Sequence, residues 1–230
     1  RGGAGNDTLD GGANTAVGAS SGGDIADYST EASKVTVDLS AGTATGTSIG
    51  SDTIVLGTVE NVYGSSTGDD ITGDNNANRL EGRSGDDTLI GLGGADFLNG
   101  GNGVDTADYS DGTQKIDINM QTGVVSNDGF GNAGEQISFI ENIIGTDYDD
   151  IVRGTSTATA VNDTINNDIS TGQGDDTVYG SFGSDQLFGG EGLEDGAGDT
   201  LTYSGLAYGS GFTVNFVSED TASITKSDGA

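Results

Sequence analysis

A nine-residue period constrains the fold of this chain more than any other feature of its sequence. Over residues 64–108, five consecutive units begin with glycine, carry an acid or its amide at position six, and place an apolar residue at position eight. Position one is Gly64, Gly73, Gly82, Gly91 and Gly100; position six is Asp69, Asn78, Asp87, Asp96 and Asp105; position eight is Ile71, Leu80, Leu89, Leu98 and Ala107. Glycine and acids in excess suit a disordered segment, but disorder gives no reason to keep three positions in phase, so the period predicts a folded repeat.

Related units occur outside this array. They are GGAGNDTLD at 2–10, TGQGDDTVY at 171–179, GSFGSDQLF at 180–188 and, as the second half of a unit, VNDTIN at 161–166. Glycines in the first half of a unit permit positive φ and a tight turn, whereas the second half is short and often β-prone. Because side chains alternate along a strand, the apolar residue at position eight points to one side and its neighbours to the other. Each unit is therefore predicted to be a turn followed by a three-residue strand.

One unit cannot bury its apolar residue alone, but stacked units can. Two units would form one coil with a turn on each side, and units two apart would then stack at the ~4.8 Å spacing of neighbouring strands. This predicts one ladder through Ile71, Leu89 and Ala107 and an opposite ladder through Leu80 and Leu98. The predicted fold class is all-β, a β-solenoid.

Charge and composition limit the chemistry that is available. The chain has 37 acids, 7 basic residues and a formal charge of -30, which argues against nucleic-acid and anionic-membrane partners and favours cations. It has no cysteine and no histidine, which excludes zinc and haem sites and histidine-dependent catalysis within this chain. No apolar run approaches the roughly 20 residues of a membrane-spanning helix. Stacked position-six acids would repel each other, and calcium, which takes oxygen ligands in flexible geometry, would neutralise them better than magnesium.

At these residues the sequence resembles a known family. GGAGNDTLD and GRSGDDTLI are similar to the Gly-Gly-x-Gly-x-Asp-x-U-x nonapeptide of RTX, or haemolysin-type calcium-binding, proteins. The resemblance implies a right-handed parallel β-roll that holds several calcium ions between successive turns. It also implies type I secretion and folding on contact with extracellular calcium. GDNNANRLE and GLGGADFLN depart from the pattern, and a site that uses Asn78 should be weaker because one formal charge is lost.

Carried onto this sequence, the resemblance implies a set of calcium ligands. The side-chain ligands are Asp7, Asp24, Asp69, Asn78, Asp87, Asp96, Asp105, Asp163, Asp176, Asp185 and Asp199. Backbone carbonyls of turn glycines complete the set, namely those of Gly64, Gly73, Gly82, Gly85, Gly91, Gly94, Gly100, Gly103, Gly180 and Gly183. For isolated units an alternative stays open, in which the Asp only forms a turn by bonding its own backbone.

The period breaks three times after a similar motif. DIADYS, DTADYS and DTLTYS contain Tyr28, Tyr109 and Tyr203, and each precedes an alternating segment, VTVDL, IDINM or FTVNF, that is typical of a half-buried strand. We interpret these inserts as wider coils with longer strands that continue the stack. Eight extra residues within 13–23 and five within 191–198 are interpreted as loops of the solenoid.

Two glutamates recur at the end of the first two inserts. Glu60 in VENVYG and Glu141 in IENIIG each follow the insert's tyrosine by 32 residues, after which the nine-residue period resumes. Both could be catalytic carboxylates, but their equivalent places in a repeat favour a structural role. A carbohydrate-binding role for the tyrosines is a further alternative.

We therefore expect one continuous solenoid that is a fragment of a longer protein. Its blocks are 1–27, nonapeptides with a loop insertion; 28–63, inserted wider coils; 64–108, five regular nonapeptides; 109–144, inserted wider coils; 145–202, irregular nonapeptides; and 203–230, a truncated third insert.

The expected function is that of a calcium-binding structural or spacer module in a secreted or cell-surface bacterial RTX protein, without enzymatic activity. The alternatives are the non-catalytic calcium-binding portion of a secreted protease, lipase or polysaccharide-active enzyme, and part of an adhesin or surface-layer protein. Calcium ions are the expected partners, with no nucleic acid and no membrane insertion. Self-assembly and a surface ligand both stay open.

Overall fold

The computed structural model describes residues 1–12, 23–155, 167–180, 186–189, 199–203 and 223–226. Within these ranges every regular element is a β-strand. In chain order they are β1 (Thr8–Leu9), β2 (Ile25–Asp27), β3 (Val35–Asp38), β4 (Thr43–Gly46), β5 (Gly50–Ile54), β6 (Asn61–Tyr63), β7 (Asp70–Thr72), β8 (Arg79–Ser84), β9 (Thr88–Ile90), β10 (Phe97–Asn102), β11 (Thr106–Asp108), β12 (Ile116–Asn119), β13 (Val124–Asp128), β14 (Glu135–Ser138), β15 (Asn142–Ile144), β16 (Ile151–Arg153), β17 (Asp168–Ser170), β18 (Thr177–Gly180), β19 (Gln186–Phe188), β20 (Thr200–Tyr203) and β21 (Ser223–Lys226). The described residues include no helix that could cross a membrane.

The strands form two sheets, and successive nonapeptide strands alternate between them. Sheet A has the order β1-β5-β4-β3-β7-β9-β11-β15-β17-β19, and sheet B the order β2-β6-β8-β10-β14-β13-β12-β16-β18-β20-β21. Strands two units apart pair in parallel, with Ile71 beside Leu89 and Leu89 beside Ala107 in sheet A, and Leu80 beside Leu98 in sheet B. Both predicted ladders and the all-β solenoid are thus confirmed.

The position-eight side chains form a continuous core between the two sheets. All five of those in the regular array are fully buried. In sheet A the file runs through Val37, Ile71, Leu89, Ala107, Ile143, Ile169 and Leu187. Full burial of one such aliphatic side chain contributes about 1.5–3 kcal/mol, so each coil adds its own increment of stability along the stack.

The first two inserts continue the stack, but their strands pair differently from the wider coils expected from the sequence. Instead of wider coils, β3–β4–β5 form an antiparallel meander within sheet A, and β12–β13–β14 form one within sheet B. The first strand of each meander pairs in parallel with the nonapeptide strand that follows it, and the last strand with one that precedes it. The reversals become feasible at Gly42 and Gly123, which have φ of 68° and 69° at matching places before β4 and β13.

The tyrosines that open these inserts lie in the interior. Tyr28 and Tyr109 are only 2% and 3% exposed, which does not suit a carbohydrate-binding surface. The chain returns from each insert beside the strand where it left, because β6 pairs with β2 and β15 with β11. In the third copy β21 pairs with β20 in the same parallel sense.

Candidate calcium-binding edges

The position-six residues line two edges of the stack, which we call edge A and edge B after the sheet that the chain enters next. On edge A the backbone N–H of Asp69 donates to Asp87 Oδ1 at 2.7 Å, and the N–H of Asp87 donates to Asp105 Oδ1 at 2.8 Å. The Val35 N–H donates to Asp69 Oδ1 at 2.8 Å, which extends this ladder to the first insert. One oxygen of each carboxylate therefore holds the neighbouring coil in register.

Edge B repeats the arrangement. The N–H of Asn78 donates to Asp96 Oδ1 at 2.7 Å. Further along, the N–H of Asp150 donates to Asp176 Oδ1 at 2.8 Å, and that of Asp176 donates to Asp199 Oδ1 at 3.0 Å. Both edges thus present a column of carboxylates, each bonded through one oxygen to a backbone amide one coil away.

The other oxygen of many of these acids has no protein partner. The buried and unpaired carboxylate oxygens of the described residues are Oδ2 of Asp7, Asp52, Asp87, Asp96, Asp105 and Asp176 and Oε2 of Glu135. A buried acceptor without a partner is costly, because it has lost water and gained no replacement. The four ion pairs among the described residues, Arg1–Asp27, Lys34–Asp70, Arg79–Glu81 and Arg153–Asp117, neutralise other acids. The unpaired oxygens therefore fit a ligand of positive charge.

Burial raises the pKa of several acids on both edges. The pKa rises to about 7 at Asp87 and Asp176, to about 6 at Asp105 and Asp150, and to about 9 at Asp96. Nearby carboxylates add to the increase, as those of Asp105 and Asp69 do at Asp87. A cation on the unpaired oxygens would act in the opposite direction by favouring the charged form.

We expect the calcium-free protein to lose stability as the pH rises from about 4 to about 7. The folded state retains protons over this range that the unfolded chain has released, so the free energy of unfolding falls with rising pH. The contribution of these protonated acids to the free energy of unfolding is fully present below the pKa of the unfolded chain. It is lost as the pH rises through the raised pKa values of the folded state. The β content of the chelated protein at pH about 5 and about 8, measured by far-UV circular dichroism, checks this, and we expect more β structure at pH about 5. More β structure at the more alkaline pH would contradict the sign.

The glycine at position one leaves room for the carboxylate. A Cβ on Gly91 would lie 2.6 Å from Asp96 Oδ2, and one on Gly82 would overlap Asp87 Oδ2. A Cβ on Gly64 would lie 2.6 Å from the carbonyl oxygen of Gly82. Carboxylate and carbonyl oxygens therefore crowd the same side of each turn, where a side chain would displace them.

Replacing Gly82 with alanine should disrupt the edge at Asp87. The added Cβ would meet the Asp87 carboxylate itself, so we expect weaker calcium binding together with a loss of about 1–3 kcal/mol in stability, typical of overpacking. The matched control is Gly93→Ala, whose Cβ would meet only side-chain atoms, at 3.3–3.8 Å. Calcium titration of both variants by calorimetry checks this, and equal affinities in the two would contradict it.

The donor set fits calcium when carbonyl oxygens are included. No group of three or more acidic side chains converges closely enough within the described ranges to hold a metal by itself. Calcium takes six to eight oxygen ligands at roughly 2.3–2.6 Å and accepts carboxylate and carbonyl oxygens together. A cation at either edge would therefore combine an unpaired Asp oxygen with turn carbonyls.

The structure places the described site residues on these two edges. Asp7 and Asp24 also occupy position-six places, since their N–H groups donate to Asp52 Oδ1 and Glu60 Oε2, each at 2.9 Å. Asp163, Asp185 and Gly183 lie outside the described residues. The role of the full set as calcium ligands stays a prediction.

At two positions the alternative of a turn-forming Asp applies. Asp69 Oδ2 accepts the N–H of Ser65 at 2.5 Å, and Asp150 Oδ2 accepts the N–H of Thr146 at 2.7 Å. Both oxygens of these two acids are therefore in use within the protein. They are weaker candidates for ligands than the acids that have an unpaired oxygen.

Several acids on the edges were missed by sequence reasoning. The Asp105 N–H donates to Glu141 Oε2 at 2.9 Å, so Glu141 occupies a position-six place, as Glu60 does beside Asp24. Asp150 follows Gly145 at the same interval at which Asp87 follows Gly82, and this signal was present in the sequence. Asp52 and Glu135 come after antiparallel strands, where no nine-residue period could mark them.

The chain matches the model of a known repeat family. The family model of the RTX calcium-binding nonapeptide repeat matches the chain in four copies, over residues 1–15, 72–107 and 162–192. No curated protein matches the chain. The matched ranges contain five of the acids with an unpaired oxygen, namely Asp7, Asp87, Asp96, Asp105 and Asp176, but neither Asp52 nor Glu135.

Proposed function

Because this chain carries RTX calcium-binding nonapeptide repeats, we propose that it is a calcium-binding structural or spacer module of a secreted or cell-surface bacterial protein. One observation carries the proposal. The position-six carboxylates stack in columns, each bonds a neighbouring coil through one oxygen, and many keep the other oxygen buried and unpaired. Such an arrangement is unfavourable for the protein alone and favourable with a divalent cation.

The mechanism is folding coupled to ion binding. At a formal charge of -30 the calcium-free chain is expanded by self-repulsion, which stacking would intensify at both edges. Calcium, when bound, supplies positive charge to oxygens that otherwise lack a partner. Asp87 and Asp105 align adjacent coils through hydrogen bonds to their Oδ1 atoms. Leu89 and Ala107, two residues further along each strand, pack in the core. Binding free energy thereby becomes folding free energy.

A location outside the cell agrees with this mechanism. Extracellular calcium-binding modules have a Kd of roughly 10⁻⁴–10⁻³ M, so the ion level there can control folding. RTX repeats occur in secreted bacterial proteins, which supports the same location. Type I secretion belongs to this proposal and rests on the family resemblance.

We assign no catalytic role to Glu60 and Glu141. Each accepts a backbone N–H from a position-six Asp through Oε2, at equivalent places in two copies of the repeat. A carboxylate that holds adjacent coils together in both copies has a structural role, which supports the proposal of a module without enzymatic activity.

Circular dichroism with two ions tests the proposal. Millimolar calcium should convert the far-UV spectrum of the chelated protein from coil to β, whereas the same concentration of magnesium should change it much less, because magnesium demands stricter geometry and retains its waters. A β spectrum that forms fully in the chelator, at neutral pH, would refute the proposal.

A further inference from the structure

Glu135 lies next to a position-six acid although it is outside the nine-residue period. It begins β14, the last strand of the second insert, which pairs in parallel with β10. Gln136 is the partner of Phe97, so Glu135 lies beside Asp96 at about the 4.8 Å spacing of neighbouring strands. Residue 135 is also outside the ranges matched by the RTX repeat model.

Both acids are buried and each has an unpaired oxygen. Glu135 is 0% exposed and Asp96 is 2% exposed. Glu135 Oε1 accepts the hydroxyl of Tyr109 at 2.6 Å, while Oε2 has no partner. Asp96 Oδ1 accepts the N–H of Asn78 at 2.7 Å, while Oδ2 has no partner. Two unpaired oxygens from adjacent strands are thus buried at one place.

A third buried acid adds negative charge here without offering a free oxygen. Asp128 is 0% exposed; its Oδ1 accepts the N–H groups of Phe130 and Asn132, and its Oδ2 accepts Asn132 Nδ2. Burial and the charge of Asp128 raise the pKa of Glu135 to about 8. None of the four ion pairs of the described residues involves these three acids. The cluster therefore needs a compensating charge.

We propose that Asp96 Oδ2 and Glu135 Oε2 bind a calcium ion between β10 and the second insert, at a junction site that the nonapeptide pattern does not encode. Tyr109 is a positioning residue, because its hydroxyl occupies Oε1 and leaves Oε2 for the ion. The choice of calcium rests on the proposed function. The ion would clamp the last strand of the insert to the nonapeptide coil beside it.

The first insert places an acid at the equivalent register position on the other sheet, although the hydroxyl of its tyrosine, Tyr28, has no hydrogen-bond partner. Its last strand, β5, pairs in parallel with β1, and the Asp7 N–H donates to Asp52 Oδ1 at 2.9 Å. Asp52 is 3% exposed, and Oδ2 of both acids is unpaired. Tyr28 is again buried near this acid, since burial and the Asp52 charge raise the pKa of its phenol. Two inserts of different sequence thus return to the stack with an acid beside a position-six Asp and a buried tyrosine close by.

Counting bound ions tests the junction site. Calcium bound at saturation would be measured by equilibrium dialysis for the unmodified chain, Glu135→Gln and Asp111→Asn. We expect Glu135→Gln to bind one ion fewer. Asp111→Asn removes the same charge from an exposed acid and should bind the full number. An unchanged count in Glu135→Gln overturns the junction site, whereas no binding by the unmodified chain overturns the proposed function itself.

Terbium luminescence gives a second readout that does not depend on Glu135→Gln folding. Terbium binds oxygen ligands as calcium does, and a nearby phenol sensitises its emission. Tyr109→Phe should lose part of the tyrosine-sensitised luminescence of the unmodified chain, because it removes the phenol that contacts Glu135. If Glu135→Gln folds, adding Tyr109→Phe to it should remove no further luminescence. Undiminished luminescence in Tyr109→Phe would overturn the proposal.

Discussion

Asp87→Asn should destabilise the calcium-bound protein and stabilise the calcium-free one. Asn retains the oxygen that accepts the Asp69 N–H but removes the charge from the unpaired Oδ2 position. With calcium, we expect a loss of about 3–5 kcal/mol, the usual cost of removing one partner of a buried charge pair. Without calcium, the variant avoids charging a buried carboxyl group whose pKa is raised to about 7, so it should be the more stable protein above that pH.

The neighbouring acid provides the control for this experiment. Asp86 is exposed, and its Oδ1 accepts the Val104 N–H at 3.0 Å, a bond that Asn can also accept. Asp86→Asn therefore removes the same charge from the same turn but leaves every position-six carboxylate in place. Urea unfolding of both variants in saturating calcium, and their β content by far-UV circular dichroism in a chelator, check the prediction. A shift of the same sign in both conditions for Asp87→Asn would contradict it.

Leu89→Ala should lower the free energy of unfolding by about 2–5 kcal/mol, as large-to-small substitutions in a packed core do. Leu89 is fully buried between Ile71 and Ala107 in the core file. Because the stack has nothing else to fill the space, the variant should leave a cavity. The number of calcium ions bound at saturation should stay the same, since the edge residues are intact.

Ile90→Ala is the matched control for Leu89→Ala. Ile90 follows Leu89 in β9, points to the opposite face and is only partly buried. Its truncation should cost about 1 kcal/mol or less. Urea unfolding in saturating calcium compares the two variants. A cost at Ile90 equal to that at Leu89 would contradict the inward assignment of position eight.

The nine-residue period predicts which residues lie in each ladder and on each edge, because the spacing of a unit along the chain also sets its place in the stack. Leu89 and Leu98 alternate between two ladders because nine residues make half a coil, and that spacing is visible without coordinates. The place of Asp87 on edge A follows from the same count. The count does not predict that Asp87 Oδ2 is unpaired, because this depends on how the neighbouring coils bury the carboxylate.

The inserts could not be predicted in this way. VTVDL and IDINM indicate strands, but alternation gives no direction, and an antiparallel partner bonds as well as a parallel one. The turns at Gly42 and Gly123 decide the topology. Glu135 joins the Asp96 edge only because the meander reverses twice, so its proximity in space has no counterpart in sequence spacing.

Crystals grown with terbium in place of calcium test the central claim most directly. The claim is that cations lie between successive turns on both edges, bound by position-six carboxylates. The anomalous difference map should show ions within about 2.3–2.6 Å of the unpaired oxygens of Asp87 and Asp105 on edge A and of Asp96 on edge B. Successive ions on one edge should be separated by about 4.8 Å, the distance between neighbouring strands. A map with ions only at exposed acids such as Asp111, and none beside these three carboxylates, would contradict the account.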